Sequence, residues 1–409
     1  MEKILTKNID KPNSQDIKVY LDGGGYKALE GVLTLKPEEV IDEVKKSRLV
    51  GRGGAAFPTG LKWEFTRREK DEPKFIVCNA DEGEPGTFKD RVILSNNPHL
   101  LLESIIIGGY AIGASQGFIY IRGEYFEEIK RLNKAIEQAR AKGYLGENIL
   151  GSSFSFDIQL YQGAGSYVCG EETTLFESME GKRGQSRERP PFPAQFGFMG
   201  KPTVINNVET LCNVPAIITN GGDWYSRIGS PDSPGPKLYC LSGQVNKPGV
   251  YELPMGITLR ELVENHGGGV KGELKAVLPG GVSSSLLTDL NVKLDYKGVR
   301  EAGSMLGSAA VIVINKDTSI VDVAKNTMEF FAHESCGLCT PCREGTRRAK
   351  EILTRFANGG GRVEELALLL ELGEVMFDAA RCGLGQAAMN TTTSAIKLFR
   401  DEFEQKVRK

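Results

Sequence analysis

Cys336, Cys339 and Cys342 stand in the run Cys-Gly-Leu-Cys-Thr-Pro-Cys, and Cys382 follows after 39 intervening residues in Arg-Cys-Gly-Leu-Gly. Three thiolates spaced two residues apart can wrap one corner of a metal cluster, and a distant fourth can close it. Structural zinc sites more often divide their ligands into two separated pairs. Three plus one is the arrangement expected of a [4Fe–4S] cluster held by four Cys, so the spacing points first to an electron carrier. A zinc-stapled scaffold that binds a nucleotide without redox chemistry is the competing reading. His333, three residues ahead of Cys336, is expected beside the metal rather than on it, because Cys382 already completes a set of four thiolates. Cys78, Cys169, Cys212 and Cys240 are solitary and read as small buried hydrophobes.

Three glycine-containing loops form the second group. In Gly51-Arg-Gly-Gly-Ala-Ala-Phe-Pro-Thr-Gly-Leu-Lys62, backbone N–H groups could approach a phosphate or a flat ring, with Arg52 and Lys62 supplying charge. The run fits G-x-G-x-x-A only formally, since a helical pattern precedes it where the dinucleotide fingerprint needs a strand. A plain structural turn is the other explanation. Phe57 and Phe65 flank the loop and could stack on an aromatic cofactor. Gly163-Ala-Gly-Ser-Tyr-Val-Cys-Gly-Glu-Glu-Thr follows an alternating strand and leads into a helix, the order that presents N–H groups to an anion. Glu171 and Glu172 serve there either as caps on the helix dipole or as ligand contacts. Asn79-Ala-Asp-Glu-Gly-Glu-Pro-Gly86 directly follows a strand, and ligands of open α/β sheets bind beyond strand carboxyl ends. Asn79, Asp81, Glu82 and Glu84 could therefore accept from hydroxyl, amide or ring N–H donors, or hold a cation, or form a solvated turn. Asn206 and Asn207, in Asn-Asn-Val-Glu-Thr210, offer neutral donors or an Asx turn before a helix.

Positioning such groups requires more than one core, and 409 residues allow two to four domains. The first part reads as α/β. A helix starts at Pro37, with acidic residues first and lysines last, and strands are expected at Phe75–Cys78 and Phe118–Ile121. Pro98 to Ala111 reads as a helix entered from Asn97. Another carries Ile129, Leu132, Ile136 and Ala139 on one face and stops at Gly143, and Phe154, Phe156, Ile158 and Leu160 alternate as a strand. Strands alternating with helices imply a mostly parallel sheet, Rossmann-like with a non-standard site. Ser230-Pro-Asp-Ser-Pro-Gly-Pro236 has linker composition. Beyond it a hairpin, a short helix at Thr258–Glu264 and two further strands suggest a small β-grasp-like unit. From Ser319 onward strand signals vanish, and four helical segments around the cysteines predict an all-α bundle. The expected boundaries are 1–229, 237–318 and 319–409.

Composition excludes several classes. The net charge of −2 with mixed signs gives no electrostatic reason to bind nucleic acid or an anionic membrane. The longest nearly apolar stretch, Ile105 to Ala114, is about ten residues, against ~20 for a bilayer span. The opening Met-Glu-Lys-Ile-Leu-Thr-Lys-Asn lacks a secretory pattern and argues against a disulfide framework. The expected location is cytoplasmic.

Taken together, the segments Gly-Arg-Gly-Gly-Ala-Ala-Phe-Pro-Thr-Gly-Leu-Lys-Trp, Asn-Ala-Asp-Glu-Gly-Glu-Pro-Gly, Gly-Ala-Gly-Ser-Tyr-Val-Cys-Gly-Glu-Glu-Thr and Glu-Ser-Cys-Gly-Leu-Cys-Thr-Pro-Cys-Arg-Glu-Gly resemble the NADH-binding flavoprotein chain of respiratory complex I, the bacterial NADH:quinone oxidoreductase. The resemblance covers nearly the whole chain, with the four motifs in order. It implies an FMN site made by Gly51, Arg52, Gly53, Gly54, Lys62, Asn79, Asp81, Glu82, Gly170, Glu171, Glu172, Val204, Asn206, Asn207 and Thr210. On the NADH side it implies Phe57 and Phe65 against the adenine, with Glu84, Tyr167, Glu172, Arg189 and Phe192 nearby. Cys336, Cys339, Cys342 and Cys382 match the cluster ligands. Hydride transfer would run from NADH to FMN, with no catalytic side chain required, and single electrons would pass to the cluster. Implied partners are a thioredoxin-like [2Fe–2S] subunit of the E type and a multi-cluster Fe–S subunit of the G type, leading toward quinone in a complex peripheral to the inner membrane. The middle unit would be ubiquitin-like. A soluble NAD-linked hydrogenase or formate dehydrogenase could use the same module as its diaphorase, although such relatives often add Fe–S domains for which this chain has no spare cysteines. Two positions depart from the family pattern. Ala56 replaces a usual Gly, which implies an ordinary φ there, and Arg189 stands where Lys is common. Glu84, set beside the adenosine ribose, would disfavour a 2′-phosphate.

Overall fold

A computed structural model describes residues 2–408. In chain order, α1 (Ile17–Asp22), α2 (Lys27–Val32), α3 (Pro37–Lys46) and α4 (Thr59–Arg68) precede β1 (Phe75–Ala80). Then come α5 (Asp90–Asn96), α6 (Pro98–Ile112), β2 (Gln116–Ile121), α7 (Phe126–Ala141), β3 (Asp157–Gln162), α8 (Glu172–Met179) and β4 (Thr203–Asn207). The four strands form a wholly parallel sheet in the order β3-β2-β1-β4. Helix α3 forms for the reasons its sequence shows. Pro37 opens it, the Glu39 carboxylate accepts from Lys36 N–H at 2.7 Å, and Lys45 and Lys46 close it.

The two faces of this sheet bury different neighbours. Ile76, Cys78, Ile119 and Val204 point into a large core with α6, whereas Val77, Phe118, Tyr120 and Ile205 pack with α8 and the C-terminal helices. Helix α6 is buried on nearly every side, as an all-round apolar helix must be. It presses close to the sheet at Gly108 and Gly109, where a Cβ would meet Ile76 Cδ1 at 2.5 Å and the Phe156 ring at 2.4 Å. Phe154 and Phe156, expected within β3, lie just ahead of it and pack against this core.

Helices α9 (Val208–Cys212), α10 (Val214–Asn220) and α11 (Gly222–Ser226) lead to a two-residue pair, β5 (Gly229–Ser230) with β6 (Ser233–Pro234). The proline-rich stretch is therefore a tight, partly buried turn rather than a free linker. The second sheet follows, with β7 (Pro236–Gly243), β8 (Gly249–Pro254), β9 (Leu274–Leu278) and β10 (Ala310–Asn315), and α12 (Tyr296–Glu301) before the last strand. Its order is β8-β7-β10-β9, the central pair parallel and the outer pairs antiparallel. The short helix expected at Thr258–Glu264 is a π-helical turn at Glu261–His266. Alternation along β7 is clean, with Tyr239 and Leu241 in the small sheet's own core and Leu238 in the large one.

The C-terminal part is helical: α13 (Ile320–Glu334), α14 (Thr340–Ala357), α15 (Glu364–Ala379), α16 (Gly383–Ala387), α17 (Asn390–Leu398) and α18 (Arg400–Glu404). Six helices thus replace the four expected. Helix α14 buries Cys342, Thr346, Ala349, Leu353 and Phe356 along one stripe. Among the described residues, no helix is long and apolar enough to cross a membrane.

Candidate functional site

The four cysteines of the sequence motif line one small cavity. Helix α13 ends at Glu334, Gly337 takes φ +76° to turn the chain, and Cys339 precedes α14 as its N-cap. Cys342 lies in the first turn of α14, and Cys382 caps α16. The loop is held by Arg183 donating to the Cys336 carbonyl at 2.9 Å and Arg343 donating to the Gly337 carbonyl at 2.8 Å. Burial pushes the Cys342 thiol up to about 11, so binding iron there must displace a proton. Among the described residues no three His, Cys, Asp or Glu converge on a single-ion position. Four thiols spread around a cavity suit a cluster, which is larger than one zinc ion, and the donor set therefore fits [4Fe–4S]. His333, expected beside the metal, is exposed and does not line the cavity. Ser335 takes that place, its Oγ 3.2 Å from Cys342 Sγ.

The 51–57 loop, the stretch after β1 and the segments around Gly170 and Asn207 meet beyond the carboxyl ends of β1 and β4 and make the walls of a candidate cleft. Its first wall is the Gly51–Phe57 loop. Gly51 N–H donates to the Phe57 carbonyl at 2.9 Å, Arg52 N–H to Thr210 Oγ1 at 2.8 Å, and Tyr296 of α12 to the Gly51 carbonyl at 2.9 Å. The Arg52 guanidinium has no solvent-exposed surface and donates to the Pro234 carbonyl at 2.6 Å. Arg52 thus offers its backbone to the cleft, and its charge is spent in the interior. Gly53 approaches Asn207 so closely that a Cβ would sit 3.0 Å from Asn207 Cβ. Ala56 has φ 54°, contrary to the ordinary φ expected of it. This left-handed conformation costs about 1–2 kcal/mol for an L-residue, and the loop's fixed ends impose it.

The second wall is the stretch after β1. Asn79 donates to the Gly170 carbonyl at 2.8 Å, and Asp81 N–H donates to Asn79 Oδ1 at 3.0 Å. Asp81 Oδ2 is shut off from solvent without a partner, and burial raises the carboxyl to about 8. A Cβ on Gly170 would lie 3.5 Å from that oxygen. An orphaned acceptor edged by glycine is what a flat cofactor carrying N–H or hydroxyl donors would satisfy, so the residues fit FMN. Glu82 behaves differently. Its carboxylate accepts from the backbone N–H groups of Lys89 and Asp90 at 2.9 Å and of Arg91 at 3.1 Å, tying down the start of α5. Glu82 therefore shapes the loop from behind.

The third wall comes from β4 and α8. Glu171 caps α8, accepting from Thr173 and Thr174 N–H at 3.1 and 2.9 Å and pairing with Arg189. Lys62 pairs with Glu172 and donates to the Ile205 carbonyl at 2.8 Å. Asn206 Oδ1 accepts from the Trp63 indole at 2.8 Å, and Asn207 caps α9. Val204 is wholly buried in the large core, on the opposite face of β4 from Ile205, and its side chain does not reach the cleft. Phe57, Phe65 and Phe192 are 45%, 42% and 53% exposed, large apolar side chains accessible to a stacking ligand.

Several residues without a sequence pattern hold these walls in place. Lys89 is buried between Asp90 at 2.7 Å and Glu209 at 2.9 Å, and Lys237 of β7 completes a second buried pair with Glu209. Burial opposes ionisation of Glu209, but Lys237 and Lys89 outweigh it and hold the carboxyl below its usual value. Glu84 Oε1 accepts from Ser283 N–H at 3.0 Å, and burial raises its carboxyl to about 7. Tyr167 N–H donates to Glu334 at 2.9 Å, and its ring meets Phe330 at 5.2 Å.

Residues 44–216 match the Nuo51 FMN-binding domain, residues 237–314 the SLBB domain, and residues 322–406 the NADH-ubiquinone oxidoreductase-F iron-sulfur binding region. An F-type chain of NADH-quinone oxidoreductase from Rhizobium meliloti (strain 1021) is 51% identical across 98% of this chain and 97% of its own length. A NADP-reducing hydrogenase subunit of Solidesulfovibrio fructosivorans is 49% identical across 99% of this chain and 83% of its own length. A chain of the NAD+-reducing [NiFe]-hydrogenase in its H2-reduced state superposes with a TM-score of 0.87 at 37% identity, over 99% of this chain and 67% of that one. FMN and a [4Fe–4S] cluster are accordingly the cofactors of this fold, with NADH as the nucleotide. The cleft, the cysteine cavity and these likenesses agree on one conclusion: the chain belongs to the family of F-type, NADH-oxidising chains of NADH-quinone oxidoreductase.

Proposed function

We propose that the chain oxidises NADH at bound FMN and passes the electrons through its own [4Fe–4S] cluster to partner Fe–S subunits, toward quinone. One observation carries this reading. Val168 lines the cysteine cavity, while Gly170, two residues on, backs onto the Asp81 carboxyl in the cleft. A single turn thus separates the two sites. FMN supplies hydride acceptance from the nicotinamide and release of electrons one at a time, which suits a [4Fe–4S] acceptor.

The protein's part is to bind and orient, and no side-chain nucleophile or base is needed. The backbone at Gly51, Arg52, Gly53, Gly54 and Gly170 would lie against the flavin. Asn79, Asp81, Asn206, Asn207 and Thr210 would meet its polar edge, and Lys62 its phosphate. Glu82 and Val204 act from behind this surface. Phe57, Phe65 and Phe192 would stack on the adenine, with Glu84, Tyr167, Glu172 and Arg189 around the nucleotide. The division at 1–229, 237–318 and 319–409 follows the three apolar cores only approximately, because the C-terminal helices share theirs with the parallel sheet. A mixed sheet with a parallel central pair is what a β-grasp unit contains, which supports that reading of the middle segment.

Partners of the E and G type, and a peripheral position on the inner membrane, are the assembly this reading implies. A second assembly is favoured by the hydrogenase likenesses: the same chain serving as diaphorase of a soluble NAD-linked complex. Anaerobic purification of the native complex tests both. A flavin and iron–sulfur visible spectrum that NADH bleaches is expected, with co-purifying subunits identifying the assembly. Colourless protein lacking iron and sulfide would end the electron-transfer reading.

A further inference from the structure

We propose that Thr391 and Asn390 of α17, within the cluster-bearing helices, are positioning residues for the nucleotide site, acting through the 281–284 loop on Glu84 and Tyr167. The loop belongs to the second sheet's unit and follows β9. Ser283 N–H donates to Glu84 Oε1 at 3.0 Å, and Ser283 Oγ lies 3.4 Å from the Tyr167 hydroxyl. Gly281 takes φ +84°, and a Cβ there would fall 2.6 Å from the same Glu84 oxygen. The loop backbone is therefore pressed against the carboxyl it orients.

Its other side is held by one helix. Thr391 Oγ1 faces the carbonyls of Val282 and Ser284 at 2.8 and 3.1 Å, sharing its single proton between them. Asn390 donates to the Ser283 carbonyl at 2.8 Å, and Ser394 Oγ accepts from Leu286 N–H at 2.9 Å. Thr391 is fully buried, so these carbonyls have no water to turn to if the hydroxyl is removed. Val282 packs in the core shared with the C-terminal helices and, with Pro85 and Phe330, lines a cavity of about 290 Å³, so the polar contacts of α17 act beside apolar packing that is incomplete on that side. The polar grip of α17 sets where Ser283 stands, and Ser283 sets where Glu84 and Tyr167 stand. All three units of the chain meet at this point.

The inference rests on the assignment of Glu84 to the nucleotide. The test uses the full chain loaded with FMN and cluster, with NADH oxidation followed by ferricyanide reduction. Thr391→Val keeps the shape and removes the donor. It is expected to raise KM for NADH roughly five- to tenfold while kcat changes less than about twofold. Thr391→Ser keeps the hydroxyl and is expected to restore the wild-type KM, and Asn390→Ala should act as Thr391→Val does, more weakly. In a Glu84→Ala background, which removes the acceptor of the Ser283 N–H, the Thr391→Val effect should largely vanish, because both changes act on one contact. An unchanged KM in Thr391→Val, or an effect that persists undiminished beside Glu84→Ala, overturns the proposal. Loss of FMN or of the cluster signal in both Thr391→Val and Asn390→Ala overturns it in favour of a helix that only stabilises the fold. If Glu84→Ala itself leaves KM unchanged, the assignment of Glu84 fails and the proposal falls with it. If Glu84→Ala raises KM and Thr391→Val does not, the positioning role alone falls.

Discussion

The cysteine cavity and the flavin cleft are neighbours built on opposite plans. The cavity takes its four donors from two short segments of one helical unit, three of them within seven residues. The cleft draws on segments from Gly51 to Thr210, and its walls are braced by Lys237, Ser283 and Tyr296 from the second sheet's unit. A site whose donors are the chemistry can be compact and local. A site that must present backbone and carboxyls at set positions needs supports from far along the chain, because no short segment can hold itself that rigidly.

The sharpest way to separate the two is to remove a cluster ligand. Cys382→Ser is expected to abolish the [4Fe–4S] electron paramagnetic signal and the bound iron and sulfide, with FMN content near one per chain. Full retention of the cluster spectrum would refute Cys382 as the fourth ligand, and loss of FMN as well would mean that the two sites stand or fall together. The converse experiment strikes the cleft's supports. Lys237→Met leaves Glu209 buried with one cation fewer, and breaking such a pair costs about 3–5 kcal/mol. The denaturation midpoint should drop accordingly, and FMN should be released earlier than iron during the melt. Equal midpoints for both releases would erase the contrast.

The last prediction is read as a slope against pH rather than as the loss of a cofactor, and it concerns Asp81. Its folded-state value of about 8 lies above the ordinary 3.8 of the unfolded chain, owing to burial. The stability it contributes is therefore complete below that unfolded value and is lost as pH rises toward 8, by at most ~1.4 kcal/mol per pH unit. The FMN-stripped chain should lose stability over this range, measured by denaturant midpoint, and Asp81→Asn should flatten that slope. An unaltered slope would show that another group carries it.

How much the sequence discloses follows the same divide. The cysteine spacing, the strand before Asn79 and the capped start of α3 are local signals, and local interactions realise them. His333 misleads because nearness in sequence is not nearness in space. At the C-terminal end of α13 its side chain faces solvent, whereas Ser335 turns in. Glu82 stands among other carboxylates in the sequence, and nothing in that motif announces that three backbone N–H groups at the start of α5 hold its carboxylate. The prolines before Pro236 have the composition of a linker. They form a partly buried turn whose Pro234 carbonyl accepts from the Arg52 guanidinium, a partner 182 residues away. The N-terminal helices α1 and α2, six residues each, carry too little periodicity to be seen. They are fastened by Glu103, whose carboxylate accepts from Tyr20 OH and from Tyr26 and Leu29 N–H groups.

Lys89, Asp90, Glu209 and Lys237 form two cations and two anions sealed from water across the junction of the α/β unit and the second sheet. As a set they are neutral, and any three of them are not. The seam therefore sets the terms on which this chain could be rearranged in evolution. A cut between Thr210 and Lys237 would leave one fragment with a surplus anion and the other with an unmatched lysine on a strand that has lost its cover. The middle unit is thus tied to its neighbour by charge balance, and neutralising one of the four charges calls for a second change at the same seam to keep the molecule whole.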